Sequence, residues 1–337
     1  MNSALAADLE PDDRPARLRE RAKAGDLEAK TALGRELVSS TDAEERHEGT
    51  AWIKQAAEEG SGEATQLLAA ITASGIGLRQ DWQAAFDHLR RAAELGSEVA
   101  RAELALLAGE AGLARAAQGH ESDKWRRLRG AINLGLWRPA VGKPVFSAPR
   151  IGIAENFAPP AICDWLIERS RARLERAEIA DPASGLGTYA SARTNSSAEF
   201  KLGNSDVILH LVRARIAALT GPPVEAMEGP SVLHYGVGEE FFRHYDFLDV
   251  SHPGYEKQVA EYGQRVLTFL LYLNDDFEGG ETEFSALNWR YKGRKGDALF
   301  FWNVDPKGVP DFATLHAGLP PSRGEKWLFS QWVRGRV

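Results

Sequence analysis

A single cysteine, Cys163, stands in a chain of 337 residues, so an internal disulfide framework is excluded. It lies in the apolar run Ala161-Ile162-Cys163-Asp164-Trp165-Leu166-Ile167, where a free thiol reads as a small buried core residue. Basic excess is also lacking: 41 Lys and Arg stand against 48 Asp and Glu, for a net charge of −7. The deficit is spread along the chain, with 19 basic and 23 acidic residues in 1–140 and 22 and 25 in 141–337. Neither part has the positive footprint of a nucleic-acid-binding domain, so no nucleic-acid partner is expected. No run approaches the ~18 consecutive apolar residues of a membrane span. The first 25 residues hold no basic stretch followed by an apolar one, being interrupted by Asp8, Glu10, Asp12 and Asp13. The expectation is a chain with no membrane partner, in a reducing cytoplasm. With 43% hydrophobic and 26% charged residues it is globular, and its length suits two domains.

Residues 15–140 are rich in Ala, Leu, Glu and Arg, which favour helix. An internal repeat is visible in Arg21-Ala22-Lys23-Ala24-Gly25, Gln55-Ala56-Ala57-Glu58-Glu59-Gly60 and Arg91-Ala92-Ala93-Glu94-Leu95-Gly96, whose glycines lie 35 and 36 residues apart. Asn133-Leu134-Gly135 reads as a looser fourth copy. Each unit is a helix closed by a C-terminal glycine and followed by a second apolar-periodic run such as Ala64–Ile71, which predicts a helix-pair solenoid. With Gly75-Ile76-Gly77-Leu78-Arg79-Gln80-Asp81, then Ala84 and Ala85, the region resembles the Sel-like subclass of tetratricopeptide-related repeats. Such arrays offer a concave surface to a peptide or protein; a rigid spacer or dimerisation element is the alternative.

From about Lys143 the texture changes. Pro144, Pro149, Pro159 and Pro160 punctuate it, and Pro160–Arg176 reads as an amphipathic helix. Strand-like runs follow at Ser231–Tyr235, Arg265–Leu273, Ala298–Trp302 and Trp327–Val333, separated by turn signals such as Asn274-Asp275-Asp276 and Glu278-Gly279-Gly280. Many short strands with a few helices imply a sandwich or barrel. Of eight histidines, one opens an H-x-D pattern, His244-Tyr245-Asp246. On an extended strand residues i and i+2 share a side, so imidazole and carboxylate can meet one metal. His316 lies 70 residues past Asp246 and is followed ten residues later by Lys326. Two histidines and one carboxylate leave coordination sites open, which suits non-haem Fe(II) oxygenase chemistry better than structural zinc. A cation in the same barrel would suit the distal carboxylate of a dicarboxylic co-substrate.

These residues sit among further ordered segments: Arg193-Thr194-Asn195-Ser196, Tyr235-Gly236-Val237-Gly238, Gly263-Gln264-Arg265-Val266-Leu267-Thr268, Gly279-Gly280-Glu281-Thr282, Gly296–Trp302, Leu315-His316-Ala317-Gly318 and Gly324-Glu325-Lys326-Trp327. Together they make the region from 146 to 337 resemble the prolyl 4-hydroxylase family of 2-oxoglutarate- and Fe(II)-dependent dioxygenases. The resemblance implies a double-stranded β-helix (jelly roll) with flanking helices, so the whole is expected as a two-domain α+β protein. It implies His244, Asp246 and His316 as iron ligands and Lys326 as the anchor of 2-oxoglutarate. Tyr235 and Thr282 would line the co-substrate pocket, with Tyr272 as a further candidate. Arg265 and Trp332 would face the substrate proline, with Arg193 near the peptide entrance. O2 is the second substrate and ascorbate the expected reductant.

Two positions depart from the family pattern: Phe241 stands where a tyrosine is common, and Asn195 where a serine follows Arg-Thr. Both concern the substrate end. The expected reaction hydroxylates an aliphatic C–H, foremost that of a prolyl residue in a peptide or protein that the repeats hold. The alternatives are a free amino acid or a non-prolyl residue, or a non-catalytic repeat scaffold or sensor. The polar stretch Asp249–Tyr262, with Gly254 and Gly263 near its ends, reads as a mobile lid.

Overall fold

The computed structural model describes residues 14–117, 123–132 and 140–335. Asn133-Leu134-Gly135, the looser repeat copy, lies outside them. The chain divides into two compact units. The first comprises the described residues of 1–133 with Lys201–His210, the second those of 134–200 and 211–337. Ten α-helices and a set of antiparallel sheets among the described residues make the protein α+β. No helix among them is long and apolar enough to cross a membrane.

The first unit contains α1 (Arg14–Lys23), α2 (Leu27–Leu37), α3 (Ala43–Glu58), α4 (Gly62–Ser74), α5 (Trp82–Glu94), α6 (Glu98–Ala117) and α7 (Lys124–Ala131). Each packs on the next. The repeated glycines have one conformation, φ 95° at Gly25 and 97° at Gly60 and Gly96, in the left-handed region that L side chains avoid. After each, the next N–H reaches back to a helix carbonyl: Asp26 to Arg21, Ser61 to Ala56 and Ser97 to Ala92. That same residue then caps the following helix, its side chain accepting from Ala29, Ala64 or Ala100 N–H. One Gly-Asp/Ser step thus ends a helix and begins another. Helix α4 is buried along Ala64–Ser74, and Val38, Ile53, Leu67 and Ile71 share its core cluster.

The second unit opens with β1 (Lys143–Ser147), β2 (Arg150–Ala154) and α8 (Pro160–Arg171), which has Pro160 in its first turn and a buried Cys163. Short strands β3 (Glu175–Arg176), β4 (Ile179–Ala180), β5 (Gly187–Thr188) and β6 (Ser196–Glu199) precede α9 (Val207–Thr220). Then come β7 (Ser231–Tyr235), β8 (Phe241–His244), α10 (Pro253–Tyr262), β9 (Gln264–Tyr272), β10 (Glu278–Gly279), β11 (Thr282–Phe284), β12 (Trp289–Tyr291) and β13 (Ala298–Trp302). The last strands are β14 (His316–Gly318), β15 (Pro321–Arg323) and β16 (Lys326–Gly335).

The larger sheet runs β1-β2-β13-β9-β16-β7-β6-β3 and the smaller β12-β11-β14-β8. Leu270, Tyr272, Leu299, Phe301 and Leu328 of the larger sheet form one core cluster with Phe284 of the smaller, and Phe241, Trp289 and Tyr291 pack against it. The two sheets therefore face each other as a sandwich, and the inward positions between them hold the site. Part of the stretch expected to be a mobile lid is helix α10, whose Gln258 side chain donates to Gly185 O at 2.7 Å.

Candidate metal centre

Register places the two imidazoles together. His316 on β14 pairs directly with His244, the last residue of β8. The chain bends immediately after His244, so Asp246 stands beyond the strand rather than on it. The carboxylate still reaches both rings, with Oδ1 at 3.6 Å from His244 Nε2 and Oδ2 at 3.5 Å from His316 Nε2. The three ligand atoms lie within 4.8 Å of one another. The tripeptide works because of that bend, not through the i, i+2 geometry of an extended strand.

Each ring is oriented by a backbone carbonyl two residues earlier. His244 Nδ1 lies 2.7 Å from Phe242 O, and His316 Nδ1 lies 3.0 Å from Thr314 O. A carbonyl can only accept, so Nδ1 carries the proton and Nε2 presents its lone pair toward Asp246, as a metal ligand requires. Burial, and then the neighbouring His316, push His244 down to about 3, which keeps it neutral. Burial alone would raise Asp246, but the two imidazoles and a hydrogen bond from Thr268 outweigh it and hold the group below its ordinary value. Thr268 Oγ1 donates to Asp246 Oδ2 at 2.7 Å and accepts from Asn303 Nδ2 at 3.0 Å. The sequence reading missed this supporting pair. Its signal was a lone threonine in the otherwise apolar Val266–Leu273.

Lys326 is fully buried, with no exposed surface, and its Nζ has no hydrogen-bond partner among the described residues. It lies directly opposite Tyr235 across β16 and β7, with Nζ 4.9 Å from that ring. Burial drives the amine from its usual range to about 7. An unpaired buried ammonium is costly, and a carboxylate is the group that would satisfy it. Around it, Tyr235 is pushed up to about 12 by burial. The Thr282 and Tyr272 hydroxyls are 2.9 Å apart, and Tyr272 donates to Tyr291 O at 3.0 Å. Two neutral imidazoles and one carboxylate that could share a metal, with a buried amine in the same unit that lacks a hydrogen-bond partner among the described residues, fit Fe(II) together with a dicarboxylate.

Arg265 and Trp332 meet, the guanidinium carbon 3.6 Å from the indole centroid. Arg265 is also held by Glu228, at 2.7 Å and 3.0 Å, and Arg334 Nε lies 2.6 Å from the same carboxylate. Burial alone would raise Glu228, but the two guanidiniums reverse this and leave it lowered. Arg193 is buried over the Phe241 ring at 4.4 Å, and Phe241 stacks on His244 at 3.5 Å. Arg193 Nε donates to Asn195 Oδ1 at 3.1 Å. Phe241 and Asn195, the two residues that depart from the family pattern, thus both contact Arg193, and Phe241 alone stacks on the His244 ring.

Residues 230–334 match the 2OG-Fe(II) oxygenase superfamily. "Probable prolyl 4-hydroxylase 10" of Arabidopsis thaliana is 34% identical over 206 residues, covering 55% of this chain and 69% of its own. "Prolyl 4-hydroxylase subunit alpha-1" of Rattus norvegicus is 31% identical over 198 residues, covering 59% and 37%. Among solved structures, the viral collagen prolyl hydroxylase vCPH from Paramecium Bursaria Chlorella virus-1, as its 2OG complex, shares 27% identity. It covers 56% of this chain and 96% of its own, with a TM-score of 0.43.

Proposed function

We propose, from the premise that the chain belongs to the prolyl 4-hydroxylase family of 2-oxoglutarate- and Fe(II)-dependent dioxygenases, that it hydroxylates prolyl residues of a peptide or protein. The observation that carries this reading is an open two-histidine, one-carboxylate cluster in the same unit as a fully buried lysine amine with no hydrogen-bond partner among the described residues. When bound, Fe(II) and 2-oxoglutarate would supply O2 activation, with O2 as the oxidant and 2-oxoglutarate giving up two electrons: one oxygen atom ends in succinate as CO2 is released, the other converts a substrate C–H to C–OH, and ascorbate serves as reductant.

The chain's own contribution is placement. His244, Asp246 and His316 would hold the metal on one side only. Lys326 would bind the distal carboxylate of 2-oxoglutarate, and Tyr235 and Thr282 would line its pocket. The aromatic core of Tyr272, Phe284 and Phe301 excludes water from that end. Arg265 and Trp332 would present one face to the substrate proline, with Arg193 at the peptide entrance. Finer parts of the same reading are a double-stranded β-helix for the second unit and a Sel-like repeat for the first. The repeating glycine step and the two facing sheets support them. A cytoplasmic location belongs to it as well, supported by the lone, buried cysteine.

The test is succinate formation from 2-oxoglutarate under air, with Fe(II) and ascorbate, across proline-containing peptides. Peptide-stimulated turnover, abolished by His316→Ala, is the expected result. Turnover that no peptide stimulates would sink the peptidyl-proline assignment, and turnover surviving His316→Ala would sink the metal centre.

A further inference from the structure

Ten residues of the chain occupy the face of the helical unit lined by α2, α4 and α6. Lys201–His210 follow β6 in sequence yet belong with the helices. Their first turn, Leu202–Asn204, sits on α2 and α4, and Leu202 packs against the cluster of Val38, Ile53, Leu67 and Ile71. At Gly203 the backbones approach so closely that a Cβ would lie 2.2 Å from Arg35 O and 2.6 Å from Ser39 Oγ. Only glycine fits there, and its N–H donates to Ser39 Oγ at 3.0 Å.

A second fit is electrostatic. Glu103 of α6 has no exposed surface, which is expensive for a carboxylate unless it is hydrogen-bonded. One of its oxygens accepts from Gln66 Nε2 at 3.1 Å, and the other accepts from the Val207 N–H at 2.8 Å. Val207 is the first residue of α9, where the unsatisfied N–H groups and the helix dipole favour an anion. A backbone approach open only to glycine and a buried acid matched to a helix start are independent, and both select this segment.

Stacked helix-pair arrays offer surfaces that receive outside peptides. We infer that the ligand of this face is the chain's own Lys201–His210, and that the helical unit is an intramolecular clamp on that segment rather than an arm that recruits a separate protein. The inference does not depend on the oxygenase reading. It leaves substrate recruitment to the second unit alone.

Hydrogen exchange on the full chain tests it directly. The Gly203 and Val207 amides should exchange at least about a hundredfold more slowly than unbonded loop amides, and Glu103→Leu should release Val207 selectively. A labelled peptide of residues 199–211 should not bind the wild-type chain but should bind Gly203→Glu, whose own segment cannot seat. Loop-like exchange at 203 and 207, equal peptide binding by wild type and variant, or refusal of the peptide by a folded Gly203→Glu would each overturn the inference. Should Gly203→Glu not fold, Glu103→Leu decides, since an unchanged Val207 amide overturns it too.

Discussion

Replacing Lys326 by methionine separates the cost of this residue from its use. The side chain is fully buried and its ammonium has no hydrogen-bond partner among the described residues. A fall from 10.5 to about 7 corresponds to roughly 5 kcal/mol of lost preference for the charged form. Methionine has a similar reach and no charge, so packing against Tyr235 and Gly280 is nearly kept. Without metal or 2-oxoglutarate, Lys326→Met should therefore be no less stable than wild type at pH 7, and should gain about 1–4 kcal/mol where the lysine is charged.

The sign with pH follows from proton counting. The folded-state pKa lies below the unfolded one, so between about 7 and 10.5 the unfolded chain binds the additional proton. Wild-type stability should rise with pH through that window, while the Met variant should lack this increment. Taking the difference between the two proteins cancels the buried tyrosines, whose raised pKa values act on the alkaline side. Urea unfolding of both chains at half-unit steps from pH 6.5 to 9.5, with chelator present, measures it. Titration with 2-oxoglutarate in the presence of Mn(II) gives the converse, a loss of about 2–5 kcal/mol, or roughly 30-fold or more in affinity. A pH-independent stability difference would mean that the ammonium is already paired, and unchanged 2-oxoglutarate affinity would remove Lys326 as the anchor.

Two further substitutions probe the supporting residues. Thr268→Val deletes the 2.7 Å bond to Asp246 and should weaken metal binding about 10- to 100-fold, with Thr268→Ser close to wild type; an unchanged metal titration would count against the Asn303–Thr268–Asp246 chain. Glu228→Gln removes the charge that holds Arg265 and Arg334 and should raise peptide KM several-fold, with the KM for 2-oxoglutarate unmoved. Equal changes in both constants would indicate general loosening of the site instead.

The candidate metal ligands were legible because their chemistry is confined to few residue types: the single H-x-D, and a later histidine, His316, ten residues before Lys326. The sequence also carried the helix ends at Gly25, Gly60 and Gly96, since a left-handed terminus leaves a mark in composition. Asp246 was found for an incomplete reason, as the bend after His244 is a tertiary feature with no local signature. The helix Pro253–Tyr262 inside the stretch Asp249–Tyr262 was not legible, because its polar composition masks its period. Glu228 and Glu103 were invisible, since an acid buried against partners 37 and 104 residues away looks like any surface acid.

The arrangement of the site follows from two adjacent strands. On β16, Lys326 and Trp332 are six residues apart, so a period of two puts them on one face, about 20 Å apart along the strand. Across the ladder, Trp332 pairs with Thr268 of β9 and Leu328 with Tyr272. Thr268 holds Asp246, the candidate metal ligand, and Tyr272 meets Thr282. The buried amine therefore lies at the end of the ruler where Tyr272 and Thr282 meet, and the indole lies beside the metal-supporting threonine. A one-residue slip of β16 would turn Lys326 and Trp332 outward together. The positions proposed for co-substrate anchoring and substrate presentation, Lys326 and Trp332, are thus set by a single register, that of β16 on β9, and a perturbation of that register should impair both at once.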